Sequence, residues 1–322
     1  MLPDDPHARH GRLRDYFCDK DATAVLDRGE WALSLAWPGG SERHVDQRIG
    51  MALRDWGGIG LDQMALAHRR SGLTTTALYD TWTLVAWSRW VAETRPASGD
   101  RLTILHVDDH RDLGAPRLAL SEVGMTDMLT GRAFDVRDPD AVLSACASGA
   151  VGMGSFMTPF LHAFPNCDVR QLGQAPKVTS TTDHVVELVT TSDDMLDPGR
   201  SRPAIRLRED RGTGPGRYRI TADLDDWLES LQPGPILLHL DMDYFNNRYD
   251  GDIDWPDRHP RHDPPLGEVI ERIDMVAQAM RAAGVLPRIA ASVVAYSPGF
   301  FPAEFWREAD ERLRRSLGEL YE

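Results

Sequence analysis

Two apolar stretches, each ending in a tight group of metal-type side chains, restrict the fold of this chain more than anything else in it. The first reads Ile104-Leu-His-Val-Asp108-Asp-His110-Arg-Asp112 and the second Ile236-Leu-Leu-His-Leu-Asp241-Met-Asp243. Both have strand character, and alternate residues of a strand point the same way. Asp108, His110 and Asp112 can therefore converge where the first strand ends, and Asp241 and Asp243 where the second does. Five oxygen and nitrogen ligands without a thiolate suit a pair of hard-to-borderline divalent ions, Mn²⁺ ahead of Zn²⁺ or Mg²⁺.

The text around these strands supplies the elements they need. Residues 1–30 are polar and read as a helical or irregular arm, and residues 31–37 as an early strand closed by Pro38-Gly39-Gly40. From Asp80 onward Leu84, Trp87, Trp90 and Val91 recur at helical spacing until Ser98-Gly99-Asp100 breaks the pattern. Residues 151–160 are small and apolar, and residues 185–190 β-branched. Two polar stretches, 196–217 and 248–265, read as loop or hairpin excursions, with a short helix at 224–231 between them. A helix from Gly267 carries Val269, Ile270, Ile273, Val276 and Met280 on one face. Residues 288–296 form a last strand, 297–302 a loop and 304–320 a closing amphipathic helix. Strands alternating with helices imply one α/β domain over residues 1–322, with a mostly parallel sheet and helices on both faces. Ligands of such sheets bind beyond the carboxyl ends of the strands, where both motifs sit.

Bulk properties narrow the function. Fifty Asp and Glu against 36 Lys and Arg give a formal charge of −14, which argues against a nucleic-acid partner and attracts a cationic one. Cys18, Cys146 and Cys167 are odd in number and far apart, which fits a reducing, cytoplasmic setting rather than a disulfide framework. No signal-peptide region opens the chain and no apolar run is long enough for a bilayer, so no membrane role is expected. A homo-oligomer is left open.

D-x-H-x-D followed more than a hundred residues later by D-x-D, both at strand ends, resembles the ureohydrolase superfamily of arginases and agmatinases. Residues 105–113, which read L-H-x-D-x-H-x-D-L, and Ser297-Pro298 after a strand resemble an arginase-like branch of it. That branch contains the peptide arginases of ribosomal peptide pathways, and the resemblance spans roughly residues 75–305. It implies a three-layer arginase-like fold and two Mn²⁺ ions. Asp108 and Asp241 would bridge the ions, Asp112 would complete one shell, and His110 and Asp243 the other. It further implies hydrolysis of arginine side chains in a precursor peptide, giving ornithine and urea. Two departures stand out. Arginases take a further histidine from the loop opening the preceding helix, where this chain has Tyr79-Asp80-Thr81-Trp82; Asp80 is either that ligand or the helix N-cap, and His44 is the remaining candidate. Arginases also continue the second motif to D-P, where this chain has Asn246-Asn247.

A guanidinium needs a planar acceptor, for which Glu304 and Glu122 are candidates, while His162 is placed by its ordinary pKa to pass a proton to the leaving amine. His106 and His239 each precede an Asp by two residues on the same strand face. They either hydrogen-bond a ligating carboxylate or fill the core. The long loops lean towards a peptide substrate by analogy. The alternatives are a hydrolase of free arginine, agmatine or another small guanidino compound, and a metal-binding scaffold without catalysis.

Overall fold

The computed structural model describes residues 2–322 apart from 18, 41–43, 211–215, 252–253 and 258–260, so Cys18 and parts of both polar excursions lie outside the described residues. In chain order come α1 (Pro6–Tyr16), β1 (Asp21–Asp27), β2 (Glu30–Ala36), α2 (Ile49–Gly57), α3 (Leu61–Met64), β3 (His68–Ser71), β4 (Thr74–Ala77), α4 (Trp82–Thr94) and β5 (Thr103–Val107). Next are β6 (Leu118–Ser121), β7 (Gly124–Asp127), β8 (Ala133–Phe134), α5 (Pro139–Ser148), α6 (Met157–Ala163), β9 (Asp168–Leu172), β10 (Thr182–Ser192) and β11 (Ser201–Glu209). The chain continues with β12 (Arg217–Thr221), α7 (Leu224–Leu228), β13 (Ile236–Asp241), α8 (Leu266–Ala282), β14 (Ile289–Ala295) and α9 (Trp306–Ser316).

Twelve strands form one mixed sheet in the order β3-β4-β14-β13-β5-β9-β12-β10-β11-β6-β7-β8, and β1 and β2 pair separately. From β4 to β12 neighbours run parallel. Beyond β12, and at β3, they run antiparallel. Every residue of β5 and β13 is buried, as strands covered on both faces require. The helical spacings hold as well: Leu84, Trp87 and Val91 of α4 are buried, as are Val269, Ile273, Val276 and Met280 of α8. Each such side chain contributes about 1.5–3 kcal/mol when fully buried. A single large hydrophobic core includes Trp87, Phe156, Phe160, Trp227 and Tyr296.

The structure decides two segments for which the sequence left two readings open, the arm (helical or irregular) and residues 196–217 (loop or hairpin). The N-terminal arm is α1, capped by the Asp5 carboxylate on the Ala8 N–H at 2.7 Å, followed by the β1–β2 hairpin, of which only β2 was expected. Leu13, Phe17 and Ala22 form a small core of their own beneath it. The Tyr16 hydroxyl donates to Asp193 at 2.5 Å and Arg12 reaches Asp194, so the arm is latched to the loop between β10 and β11, while Arg117, just before β6, donates to the Tyr16 carbonyl. The excursion at 196–217 is mostly strand: β11 pairs with β10 along its whole length, and its arginines lie on the partly exposed side, where Arg208 pairs with Glu187. Residues 118–134 hold three further strands that the sequence pattern did not suggest. Among the described residues no helix is long and apolar enough to cross a membrane.

Candidate metal centre

The two motif strands are sheet neighbours in register, with His106 opposite His239 and Val107 opposite Leu240. Asp108 and Asp241 follow at the same level. From β5 the parallel sheet grows towards β9, and from β13 it grows the other way to β14. This reversal creates the crevice at the carboxyl ends where α/β sheets bind ligands. The end of β4 delivers Asp80 to it and the end of β14 delivers Ser297. Asp112 and Ser297 sit at positive φ, 54° and 42°, a conformation that costs non-glycine residues energy and clusters at functional sites.

Asp108, His110 and Asp243 each offer a ligand atom within 4.8 Å of the others, and so do His106, Asp108, Asp112 and His239. Asp108 belongs to both groups. Its Oδ1 accepts the His110 N–H at 2.5 Å. His110 Nδ1 lies 2.6 Å from Asp243 Oδ2, and Asp243 Oδ1 accepts the Asp109 N–H at 3.1 Å. Asp241 accepts from the Asp243 N–H at 3.0 Å and from the Ser297 hydroxyl at 2.5 Å. Asp241 and Asp80 line the same cavity as His110, Asp112 and Asp243 but lie outside the tight groups.

Asp80 does not cap its helix, for α4 begins behind Thr81 without a side-chain cap. Instead its Oδ2 accepts the Gly154 N–H at 2.7 Å. Gly154, at φ +69°, takes this turn without the cost a side chain would add. The remaining oxygens tell most. Asp80 Oδ1, Asp108 Oδ2 and Asp112 Oδ2 are buried and have no hydrogen-bond partner among the described residues.

Burial, and then the charge of Asp112, pushes the carboxyl groups of Asp80 and Asp108 up; burial and Asp243 do the same to Asp241. Burial also works against ionised Asp243, but the facing His110 outweighs it and holds that carboxyl low. His110 would be lowered by burial, yet Asp243 and Asp250 raise it to about 11. Such a crowd of buried acids with spare oxygens is costly unless a cation joins it. The oxygen and nitrogen donors fit a hard-to-borderline divalent ion, and Cys146 is turned away to the Thr81 carbonyl. The cluster can hold a metal ion.

His106 and His239 are fully buried and face each other, Nδ1 to Nδ1, at 2.9 Å. His106 Nε2 stands 3.1 Å from the His110 carbonyl, which can only accept, so Nε2 carries the proton. His106 Nδ1 then accepts and His239 Nδ1 donates. Burial lowers both pKa values, keeping the rings neutral. Their nearest approaches to Asp108 and Asp112 are 3.6–3.8 Å. The pair bonds to itself and to backbone, and only indirectly supports the carboxylates.

A cavity of about 640 Å³ opens above the cluster, with Asp80, His110, Asp112, Asp241 and Asp243 on its floor and His44, Tyr79 and Phe300 on its walls. Asp15 and Asp19 of the arm line it too, and no local pattern marks either. His44 is a wall residue and joins neither ligand group. The residues expected to handle substrate lie elsewhere. Glu304 faces a different cleft and is engaged by Arg248 at 2.8 Å and Arg48 at 3.6 Å. Glu122 is exposed in the turn between β6 and β7. His162 hydrogen-bonds the Ala204 carbonyl of β11 at 3.1 Å, away from the cavity lining.

Comparison with protein-family models finds no match, and comparison with curated proteins finds none either. What the fold and site define is an α/β protein with a buried His/Asp cluster at the carboxyl ends of its parallel strands.

Proposed function

We propose that this chain is a binuclear manganese hydrolase of the arginase type, acting on arginine side chains of a peptide. Water adds to the guanidino carbon, the bond from that carbon to the side-chain nitrogen breaks, urea leaves, and the residue remains in the peptide as ornithine. The observation that carries this reading is the convergence of Asp80, His110, Asp112, Asp241 and Asp243 on one acidic cavity, with Asp108, common to two ligand groups, buried beside them. The parallel half of the sheet, reversing at β5 and β13, is compatible with the three-layer arginase-like arrangement that the motifs suggest.

Asp108, His110 and Asp243 would hold one ion; Asp108, Asp112, Asp241 and Asp80 the other. Bound there, the ions supply Lewis acidity and make a water acidic near neutral pH. The protein's own groups do the rest. Ser297 fixes the carboxylate of Asp241. Phe300 packs edge-on to the His110 ring at 5.3 Å. Asp15 and Asp19 favour a cationic head in the cavity. His44 is the wall imidazole for the proton transfer that His162 is too remote to make. Asp15 and Asp19 of the arm and Gly251, after Asp243, line the same cavity.

The test is mass spectrometry of the purified protein with Mn²⁺ and an arginine-containing peptide, with free arginine and agmatine alongside. A loss of about 42 Da per arginine in the peptide, abolished by Asp108→Ala, is the expected result. Turnover of the small compounds alone would replace the peptide substrate with a free guanidine. Two bound ions with no turnover would leave a scaffold.

A further inference from the structure

Asn247, which departs from the arginase pattern, is buried and makes three side-chain hydrogen bonds. Its Nδ2 donates to Asp109 Oδ2 at 2.7 Å and to Asp250 Oδ1 at 3.1 Å, and its Oδ1 accepts the Asp250 N–H at 3.0 Å. Asp250 is thereby held at φ +50°, an unusual backbone state for a residue with a side chain. The same Oδ1 of Asp250 lies 3.1 Å from His110 Nε2. Lys177 completes the arrangement, with Nζ 2.5 Å from Asp109 and 3.4 Å from Asp250.

Asp109, His110 and Asp250 are close enough together to resemble a third ligand group. The ammonium of Lys177 already stands among their oxygens, so a cation is built in. That leaves Asp250 to serve His110. An imidazole that gives one nitrogen to a metal needs the other protonated and directed at an acceptor, which fixes tautomer and ring angle. His110 Nδ1 faces Asp243 and Asp108, at 2.6 and 3.7 Å, and Nε2 faces Asp250. We propose that Asp250 is a positioning residue for His110: it accepts the Nε2–H and so fixes the ring with Nδ1 directed between Asp243 and Asp108, where an ion would sit, with Asn247 and Lys177 holding it in place. This inference rests on the metal reading, though not on the choice of substrate.

Asp250→Gly removes the acceptor while tolerating positive φ. Asp250→Asn keeps an acceptor oxygen, and asparagine also tolerates that backbone state. Mn²⁺ titration followed by calorimetry and electron paramagnetic resonance should show one of two sites weakened about 10–100-fold in Asp250→Gly, and recovered to within a few-fold in Asp250→Asn. Nitrogen-15 spectra of the Zn²⁺-loaded, histidine-labelled protein should show His110 protonated at Nε2, with the resonance lost or displaced in the glycine variant. Metal-free unfolding of the variants controls for the fold. Unchanged affinity in Asp250→Gly, equal loss in both variants, or a wild-type protein that binds no ion each overturns the proposal. Wild-type binding of two ions with the expected Asp250 effects, but no attack on arginine, would sink the hydrolase reading and leave this one standing.

Discussion

Replacing Asp80 by asparagine sets a ligand against a structural residue, because the two roles predict opposite changes. The side chain is 3% exposed, one oxygen accepts from Gly154 and the other has no partner among the described residues. Asparagine keeps the Gly154 bond and removes the charge. An unsatisfied buried group costs about 1–3 kcal/mol, and more when charged, so the metal-free variant should gain about that much stability. At about 2.1 cal/mol/K of unfolding entropy per residue over 322 residues, this is a rise in Tm of about 2–4 °C. Because the folded state raises the Asp80 pKa, a proton favours the fold. That stability is complete below the unfolded value and is lost as pH climbs through the folded one. The gain from asparagine is therefore largest at neutral and alkaline pH and fades in acid. The response to Mn²⁺ moves the other way. At free metal 100-fold above its Kd, the wild type gains about 2.7 kcal/mol by mass action, and a hundredfold weaker variant about 0.4 kcal/mol. Scanning fluorimetry with and without Mn²⁺ reads both quantities. A metal-free variant no more stable than wild type, with its Mn²⁺ shift intact, would refute the ligand role.

The shared position of Asp108 predicts that Asp108→Ala loses both ions and Asp243→Ala one, by metal analysis of dialysed protein; one ion retained in Asp108→Ala would end the idea of a bridge. Raised carboxyls and a charged His110 predict that metal uptake expels protons and that affinity falls from about pH 8 to about pH 6. Calorimetry in two buffers of different ionisation heat checks this, and identical heats would contradict it. Glu304→Gln should lower stability by no more than about 1 kcal/mol, through its arginine pairs, and leave KM for an arginine peptide unchanged; a tenfold rise in KM would return Glu304 to the guanidinium. Tyr16→Phe should cost about 1.5–3 kcal/mol in the docking of the arm, as the hydrogen bond is to a charged group. Faster proteolysis within residues 1–30 is its signature, and an unchanged cleavage rate would show that the latch carries no load.

The convergence of Asp108, His110, Asp112 and Asp243 was legible because an i, i+2 spacing on a buried strand leaves few other arrangements. The face of α8 was legible for a similar reason, since five apolar residues at helical spacing admit one face. Strands β6 to β8 were not: they are two to four residues long and only partly buried, so they lack a run or an alternation to detect. β11 was read as an excursion because its arginines are the outward half of a strand whose inward half is modest. Asp15 and Asp19 escaped for a different reason. Their arm reaches the cavity through contacts such as Tyr16 to Asp193, 177 residues away in sequence, and no local pattern reports a docking of that range. Glu304 and His162 show the converse, side chains of suitable chemistry turned by packing to other partners.

The pairing of β5 with β13 has a consequence for how such a protein acquires its ions. His106 and His239 touch across 133 residues of chain. During synthesis the D-x-H-x-D segment leaves the ribosome long before the second half of its ligand set exists, and Ser297, which fixes Asp241, follows later still. Until then neither ligand group is complete, and the emerging chain holds only a loose acidic cluster that divalent ions visit and leave. If the cluster takes a metal, loading is thus an event of the finished fold, and the ion pool of the compartment at that moment would decide which metal the site keeps.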